Sequence, residues 1–220
     1  MTIYSEAPKS FESYDQFIFP SRLDSILSFF MSAPESVPQV CLFHGHPGVG
    51  KTSFGVFQGE KCAGYLRYMG MNESLRQHKE LQDLRLNSKS LLSRRKSDER
   101  HLAEVTVMDE FHNLSFGQQD IFKLKLSSLA EDQRVIICAN TTNKAGIDKV
   151  ISPAILSRCH AIDFNIYDDD LSEVAEKALK QFSLLTRHEV MQYMPDYRRM
   201  AREQKLRESM SKHSLDTVAY

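Results

Sequence analysis

The stretch "CLFHGHPGVGKTSF" (41–54) limits what this chain can fold into more than any other. An apolar run ends at Gly45, and Gly48 and Gly50 follow at once. Glycine costs backbone entropy on folding, so a cluster of it behind a buried strand points to a backbone that something must approach closely. The pattern Gly45-x-x-x-x-Gly50-Lys51-Thr52 is that of a loop between a strand and a helix N-terminus that cradles phosphates. The candidate nucleotide-binding residues are therefore Gly45, His46, Pro47, Gly48, Val49, Gly50, Lys51, Thr52 and Ser53. In this pattern the backbone wraps the phosphates, Lys51 reaches the terminal ones, and the Thr52 hydroxyl ligates magnesium.

A chain of 220 residues accommodates one large domain, or one with a small companion. The formal net charge of −1 exerts no global pull toward nucleic acid, so any DNA site must be a local patch. The four cysteines form no C-x-x-C pair. Cys41 and Cys138 sit in apolar runs, which reads as buried reduced thiols rather than zinc ligands or disulfides. The start "MTIYSEAPKSFESY" has no basic segment followed by an apolar one. No segment approaches the roughly 20 apolar residues of a membrane span. The expectation is a cytoplasmic protein without a membrane partner.

Strand and helix patterns alternate along most of the chain. Pro20-Ser21 opens a helix with Leu23, Ile26, Leu27 and Phe30 at helical spacing, and Pro34 and Pro38 end it. A strand is expected at 40–43, followed by a helix that Gly55 and Gly59 weaken. Further strands are expected at 65–69, 104–110, 134–140 and 160–164. Residues 73–100 read as polar helix with a break near Asn87-Ser88. Residues 117–130 read as one helix with Ile121, Leu124 and Ser128 on one face. Alternation of this kind predicts an α/β domain with a parallel sheet. After the acidic run Asp168-Asp169-Asp170 no strand is evident, and helices are expected at about 170–183, 187–194 and 196–212. The boundary falls near 166.

Several side chains sit where such a sheet carries chemistry. Asp109-Glu110 ends an apolar strand, at the sheet edge where ligands bind. There an aspartate can hold magnesium and a following glutamate can polarise water; alone, the pair reads equally as two solvated acids. Asn140 ends the next strand and either orients water or opens the turn "NTTN". Arg158 in "LSRC" is a surface charge unless it reaches a neighbouring subunit's nucleotide, where a guanidinium offsets charge on the transferring phosphoryl group. Asp196 and Arg198 in "MPDYRR" read as a helix cap and a first-turn arginine. The stretch from Arg76 to Arg100 includes Arg85, Lys89, Arg94, Arg95 and Lys96, interspersed with acids. It is either a solvated helical face or a phosphate-binding surface.

Together "GHPGVGKT" (45–52), "VTVMDEF" (105–111), "VIICANTT" (135–142), "ILSRC" (155–159) and "MPDYRR" (194–199) resemble an AAA+ ATPase. More narrowly they resemble the small ATPase subunit of a sliding-clamp loader of the tailed-phage type. The resemblance implies an AAA+ P-loop NTPase domain at 1–166 and a small all-helical lid domain at 167–220. It implies ATP and Mg2+ as cofactors, with Thr52 and Asp109 on the metal and Glu110 activating water. It further implies Asn140 as the first sensor, Arg198 as the second sensor in cis, and Arg158 as a finger supplied in trans. The region from about 74 to 100 would line a DNA channel. Segment 7–20 would pack near the adenine.

Implied partners are a sliding clamp, primer–template DNA, other loader subunits in a homo- or hetero-oligomeric ring and, indirectly, a DNA polymerase. The compartment would be the host cytoplasm if the chain is phage-encoded. Three departures from the family pattern stand out. No collar domain is apparent before Tyr220, the lid is short between Leu185 and Met194, and Glu6-Ala7-Pro8 replaces Tyr-Arg-Pro. Two other readings are a helicase loader or similar AAA+ remodeller, and a non-hydrolysing structural subunit of the loader.

Overall fold

Val40–Gly45 forms β1, whose residues are buried apart from half-buried His44. The other strands are β2 (Ala63–Gly70), β3 (Leu102–Asp109), β4 (Gln133–Asn140) and β5 (His160–Asp163). The computed structural model describes residues 7–8, 11–71, 102–141 and 146–218. The polar stretch 73–100, with Arg85, Lys89, Arg94, Arg95 and Lys96, lies outside the described residues.

The strands form one parallel sheet in the order β2-β3-β4-β1-β5. Parallel strands need crossover connections, so every strand enters from one edge and delivers its C-terminal end to the other. Register pairs Gly45 with Asn140 and Gly70 with Asp109. The ends of β1, β3 and β4 therefore meet at one edge, with β4 in the middle. Side chains along each strand alternate between two cores. Phe43 and Ile136 join Leu27, Phe54 and Val107 on one face. Leu42 and Ile137 join Met69, Met108 and Phe122 on the other.

Helix α1 (Ser21–Ser32) buries Leu23, Leu27 and Phe30, and leaves Ile26 exposed. Helix α2 (Lys51–Cys62) runs the full twelve residues despite Gly55 and Gly59. The glycines let it lie close to the sheet: a Cβ at Gly59 would meet Leu66 Cδ1 at 2.5 Å, and one at Gly55 would meet Ile136 Cγ2 at 3.3 Å. Close packing outweighs weak helix propensity here.

The single helix expected at 117–130 is instead two short ones, α3 (Phe116–Asp120) and α4 (Phe122–Leu126). Phe122 and Leu126 face the core, while Leu124 is 74% exposed. Gln119 within α3 is fully buried and cross-links three segments. Its Nε2 donates to the Leu114 and Val150 carbonyls at 2.9 Å each, and its Oε1 accepts from the Ser152 amide at 2.8 Å. A short α5 (Pro153–Leu156) follows, capped by the Ser152 hydroxyl.

The C-terminal helices are α6 (Leu171–Gln181), α7 (Arg187–Tyr193) and α8 (Tyr197–Val218). They share a third core of Val174, Ala178, Val190 and Met200, which Ile18 from the N-terminal segment enters. Polar bonds join α6 to that same segment. Ser21 Oγ donates to Glu173 Oε1 at 2.6 Å, and Lys177 Nζ donates to the Phe19 carbonyl at 2.8 Å. Arg22 pairs with Asp170 at 3.1 Å. Cys41, Cys62 and Cys138 are buried free thiols, and Cys159 is half-buried and free. Among the described residues no helix is long and apolar enough to cross a membrane.

Candidate functional site

A cavity of about 430 Å³ opens above the C-terminal ends of β1, β3 and β4. Its floor is the loop and helix start from Gly48 to Ser53. Gly48 and Gly50 have φ of 87° and 97°, backbone that L side chains rarely adopt. A Cβ at Gly48 would also lie 2.5 Å from Asp196 Oδ1, so the start of α8 rests on the loop. Gly45, His46 and Pro47 do not line the cavity. The carbonyls of Gly45 and His46 instead accept hydrogen bonds from Lys51 Nζ at 2.9 and 2.6 Å.

Lys51 is 5% exposed. Burial lowers its pKa to about 8, an effect that the Cys138 and Asp109 groups oppose and the Arg198 charge reinforces. Among the described residues its ammonium is bound to backbone carbonyls, with no carboxylate at bonding distance. An anion entering the cavity meets an underneutralised cation.

Asp109 closes β3, and its carboxylate is fully bonded. Oδ1 accepts from Thr52 Oγ1 at 2.7 Å and from the Glu110 amide at 2.9 Å. Oδ2 accepts from the Tyr68 hydroxyl at 2.9 Å. Burial and this carboxylate both push the Tyr68 pKa up, so the phenol remains a donor. Glu110 was expected within the strand; it lies just beyond it at φ 55°. A non-glycine residue held there is strained, and such strain concentrates at functional sites. The turn leaves the Glu110 side chain exposed at the cavity rim, where Asn113 Nδ2 donates to Oε2 at 3.3 Å.

Asn140 reaches the cavity from β4, between the loop and Asp109. Its backbone amide donates to His112 Nδ1 at 3.1 Å. Arg198 enters from α8. The far wall is apolar: Phe11, Phe17 and Phe19 from the N-terminal segment face Phe182 and Tyr197 from the helical layer. Phe17 and Phe19 stack with ring centroids 5.3 Å apart.

Arg158 is not brought to this cavity. It lies on the surface beyond α5, where Nε donates to Ser127 Oγ at 3.0 Å and Nη1 donates to the Ala154 carbonyl at 2.7 Å. Two residues at the site carried no sequence signal of their own. Tyr68 reads as an ordinary strand residue, and His112 follows the Asp-Glu pair without a spacing that marks it.

The donor set fits a nucleoside triphosphate with a divalent ion. The loop offers backbone and one cation to phosphate. Thr52 Oγ1 and Asp109 Oδ1 form the kind of sparse oxygen set that magnesium accepts when phosphates complete its shell. The aromatic wall offers a flat base an apolar face, and the volume lies in the range of ligand pockets.

The sequence matches no protein-family model and no curated protein. Solved structures do match in fold. The replication initiator DnaA bound to AMPPCP and single-stranded DNA superposes with a TM-score of 0.55 at 16% identity, over 92% of this chain and 67% of that one. A RuvB variant from Thermotoga maritima superposes with a TM-score of 0.50 at 16% identity, over 84% of this chain and 58% of that one. The chain thus spans a little over half the RuvB chain's length. At this identity the likeness concerns the fold alone: a five-stranded parallel sheet with flanking helices, the AAA+ P-loop NTPase fold.

Proposed function

We propose that this chain is an ATPase subunit of a DNA sliding-clamp loader, coupling ATP binding and hydrolysis to clamp opening and placement on primer–template DNA. One observation carries the ATPase part: Lys51, Thr52, Asp109, Glu110, Asn140 and Arg198 converge on one cavity. The clamp-loader part rests on Ser157-Arg158-Cys159 and "MPDYRR" in their order behind the P-loop. The N-terminal 166 residues act as the nucleotide domain and residues 167–220 as its lid.

Each residue's task follows from its contacts. Lys51 leaves the Gly45 and His46 carbonyls and turns its charge to the terminal phosphates. Thr52 turns its hydroxyl from Asp109, so that both oxygens can serve magnesium. The ion, when bound with the nucleotide, neutralises charge on the phosphates. Glu110 sits beyond the strand with an exposed carboxylate and accepts a proton from the attacking water. Asn140 orients that water or the terminal phosphate. Arg198 adds positive charge from the lid side. Arg158, outside its own cavity, serves the nucleotide of an adjacent subunit.

The experiment is steady-state ATP hydrolysis with primed DNA and a candidate clamp, each alone and then together. Synergy between the two supports the loader reading. A rate stimulated by neither, with capture of a replicative helicase rather than a clamp, favours the helicase-loader reading. ATP binding without turnover under every condition favours a structural subunit.

A further inference from the structure

Among the described residues, His112 makes its hydrogen-bond contacts with Asn140, which lines the cavity, and meets that residue twice. The Asn140 backbone N–H donates to His112 Nδ1 at 3.1 Å. The Asn140 side-chain amide nitrogen stands 3.5 Å from His112 Nε2. A backbone N–H can only donate, so Nδ1 must present its lone pair, and the ring's remaining proton must sit on Nε2. An Nε2–H facing an NH2 group is a mismatch of two donors. Rotating the amide by about 180° relieves it and puts Oδ1 against Nε2–H.

We propose that His112 is a positioning residue for Asn140: its Nε2–H holds the amide oxygen and so points the Asn140 NH2 group, as a donor, into the nucleotide cavity. The geometry that makes this possible is local. The left-handed turn at Glu110 redirects the chain into the short helical turn Phe111–Asn113, which carries His112 back over the end of β4. The turn that exposes Glu110 therefore also aims Asn140. Burial lowers the imidazole's pKa, as does the Lys51 charge, while Glu110 and Asp109 oppose this. The neutral ring is the form that can accept at Nδ1. A donor is what a phosphate oxygen or a water lone pair requires of Asn140; the opposite orientation would aim an acceptor at an anion.

This inference rests on the ATPase reading for its catalytic consequence, but its core is a tautomer and can be read without turnover. Long-range ¹H–¹⁵N correlation of the imidazole in the intact chain at neutral pH should show an unprotonated Nδ1 and a protonated Nε2. An Nδ1–H tautomer or an imidazolium overturns the proposal. In kinetics, His112→Asn retains an acceptor near the Nδ1 position but has nothing at Nε2. It should lower kcat by about 10- to 100-fold, the scale on which partners of functional groups act, with ATP affinity within about two-fold. If His112→Asn turns ATP over normally, the ring only ties the backbone together and the positioning role is wrong. If assemblies of the wild-type chain never hydrolyse ATP, the ATPase reading fails, while the spectrum still decides the tautomer.

Discussion

Thr52 and Asp109 lie 57 residues apart in the chain, and a 2.7 Å hydrogen bond joins hydroxyl Oγ1 to carboxylate Oδ1. The bond ties the start of α2 to the end of β3 and holds together two protein oxygens of the kind that suit magnesium. Asp109→Asn keeps the shape of the side chain and removes the charge. Nucleotide affinity in excess chelator should stay within about two-fold, while the tightening brought by magnesium is lost. Titration of a fluorescent ATP analogue with and without magnesium checks this. Unchanged magnesium dependence would remove Asp109 from the metal site.

Lys51 supplies a pH signature. Its pKa stands near 8 instead of 10.5 because burial disfavours the charge. Phosphates favour the charged form, so nucleotide binding around and above pH 8 should take up a proton, and affinity should fall as pH rises past about 8. The folded, nucleotide-free chain binds fewer protons at Lys51 than the unfolded chain between about 8 and 10.5. On account of this residue its stability rises with pH across that window. Calorimetry in two buffers of different ionisation enthalpy measures the uptake. Lys51→Arg, whose guanidinium stays charged, should abolish it.

Gly48 is held by backbone sterics and by the start of α8 together. At φ 87° and with Asp196 Oδ1 2.5 Å from the place of a Cβ, Gly48→Ala must distort the loop or push α8 away. Nucleotide affinity should drop at least about ten-fold, a loss of about 1.4 kcal/mol. Binding assays beside a thermal melt separate this from unfolding. Normal affinity would show that the loop adapts.

Arg158 is exposed and bonds to Ala154 in its own turn and to Ser127 at the end of α4. Arg158→Ala should leave folding and ATP binding intact and reduce turnover in the assembled state by about 10³, the scale of an arginine finger. Mixing the variant with a hydrolysis-dead Glu110→Gln chain tests the trans geometry, because an active interface then requires one intact residue from each. Normal hydrolysis by Arg158→Ala assemblies would sink the assignment.

Gln119 offers a test of the fold rather than the site. Gln119→Leu strands the Leu114 and Val150 carbonyls and the Ser152 amide in a buried setting. It should cost about 3 kcal/mol in urea unfolding, since each buried unpaired group costs about 1–3 kcal/mol. A loss below about 1 kcal/mol would mean that water reaches these groups.

Much of the molecule was legible in the chain because its signals are local. The Gly45-to-Thr52 pattern expresses the backbone that a phosphate loop needs, and the apolar runs ending at Asp109 and Asn140 express buried strands. Periodicity went astray where packing overrode it. Gly55 and Gly59 read as weakening their helix, yet they serve a close helix–sheet contact. Residues 117–130 read as one helix, but the chain breaks into α3 and α4, with Phe122 and Leu126 buried and Leu124 exposed.

The sequence by itself determined the fold class and marked the glycine-rich loop and the acid and amide strand ends, since short-range sterics and alternation depend on neighbours in the chain. Only the tertiary structure decided what those positions touch. The sheet order puts β4 between β1 and β3, and so sets Asn140 between the loop and Asp109. That order also brings Tyr68 to Asp109 and His112 to Asn140, and helix packing brings Asp196 to Gly48. These contacts join residues tens to more than a hundred positions apart, and the strand order and helix packing that create them leave no trace in the residues themselves.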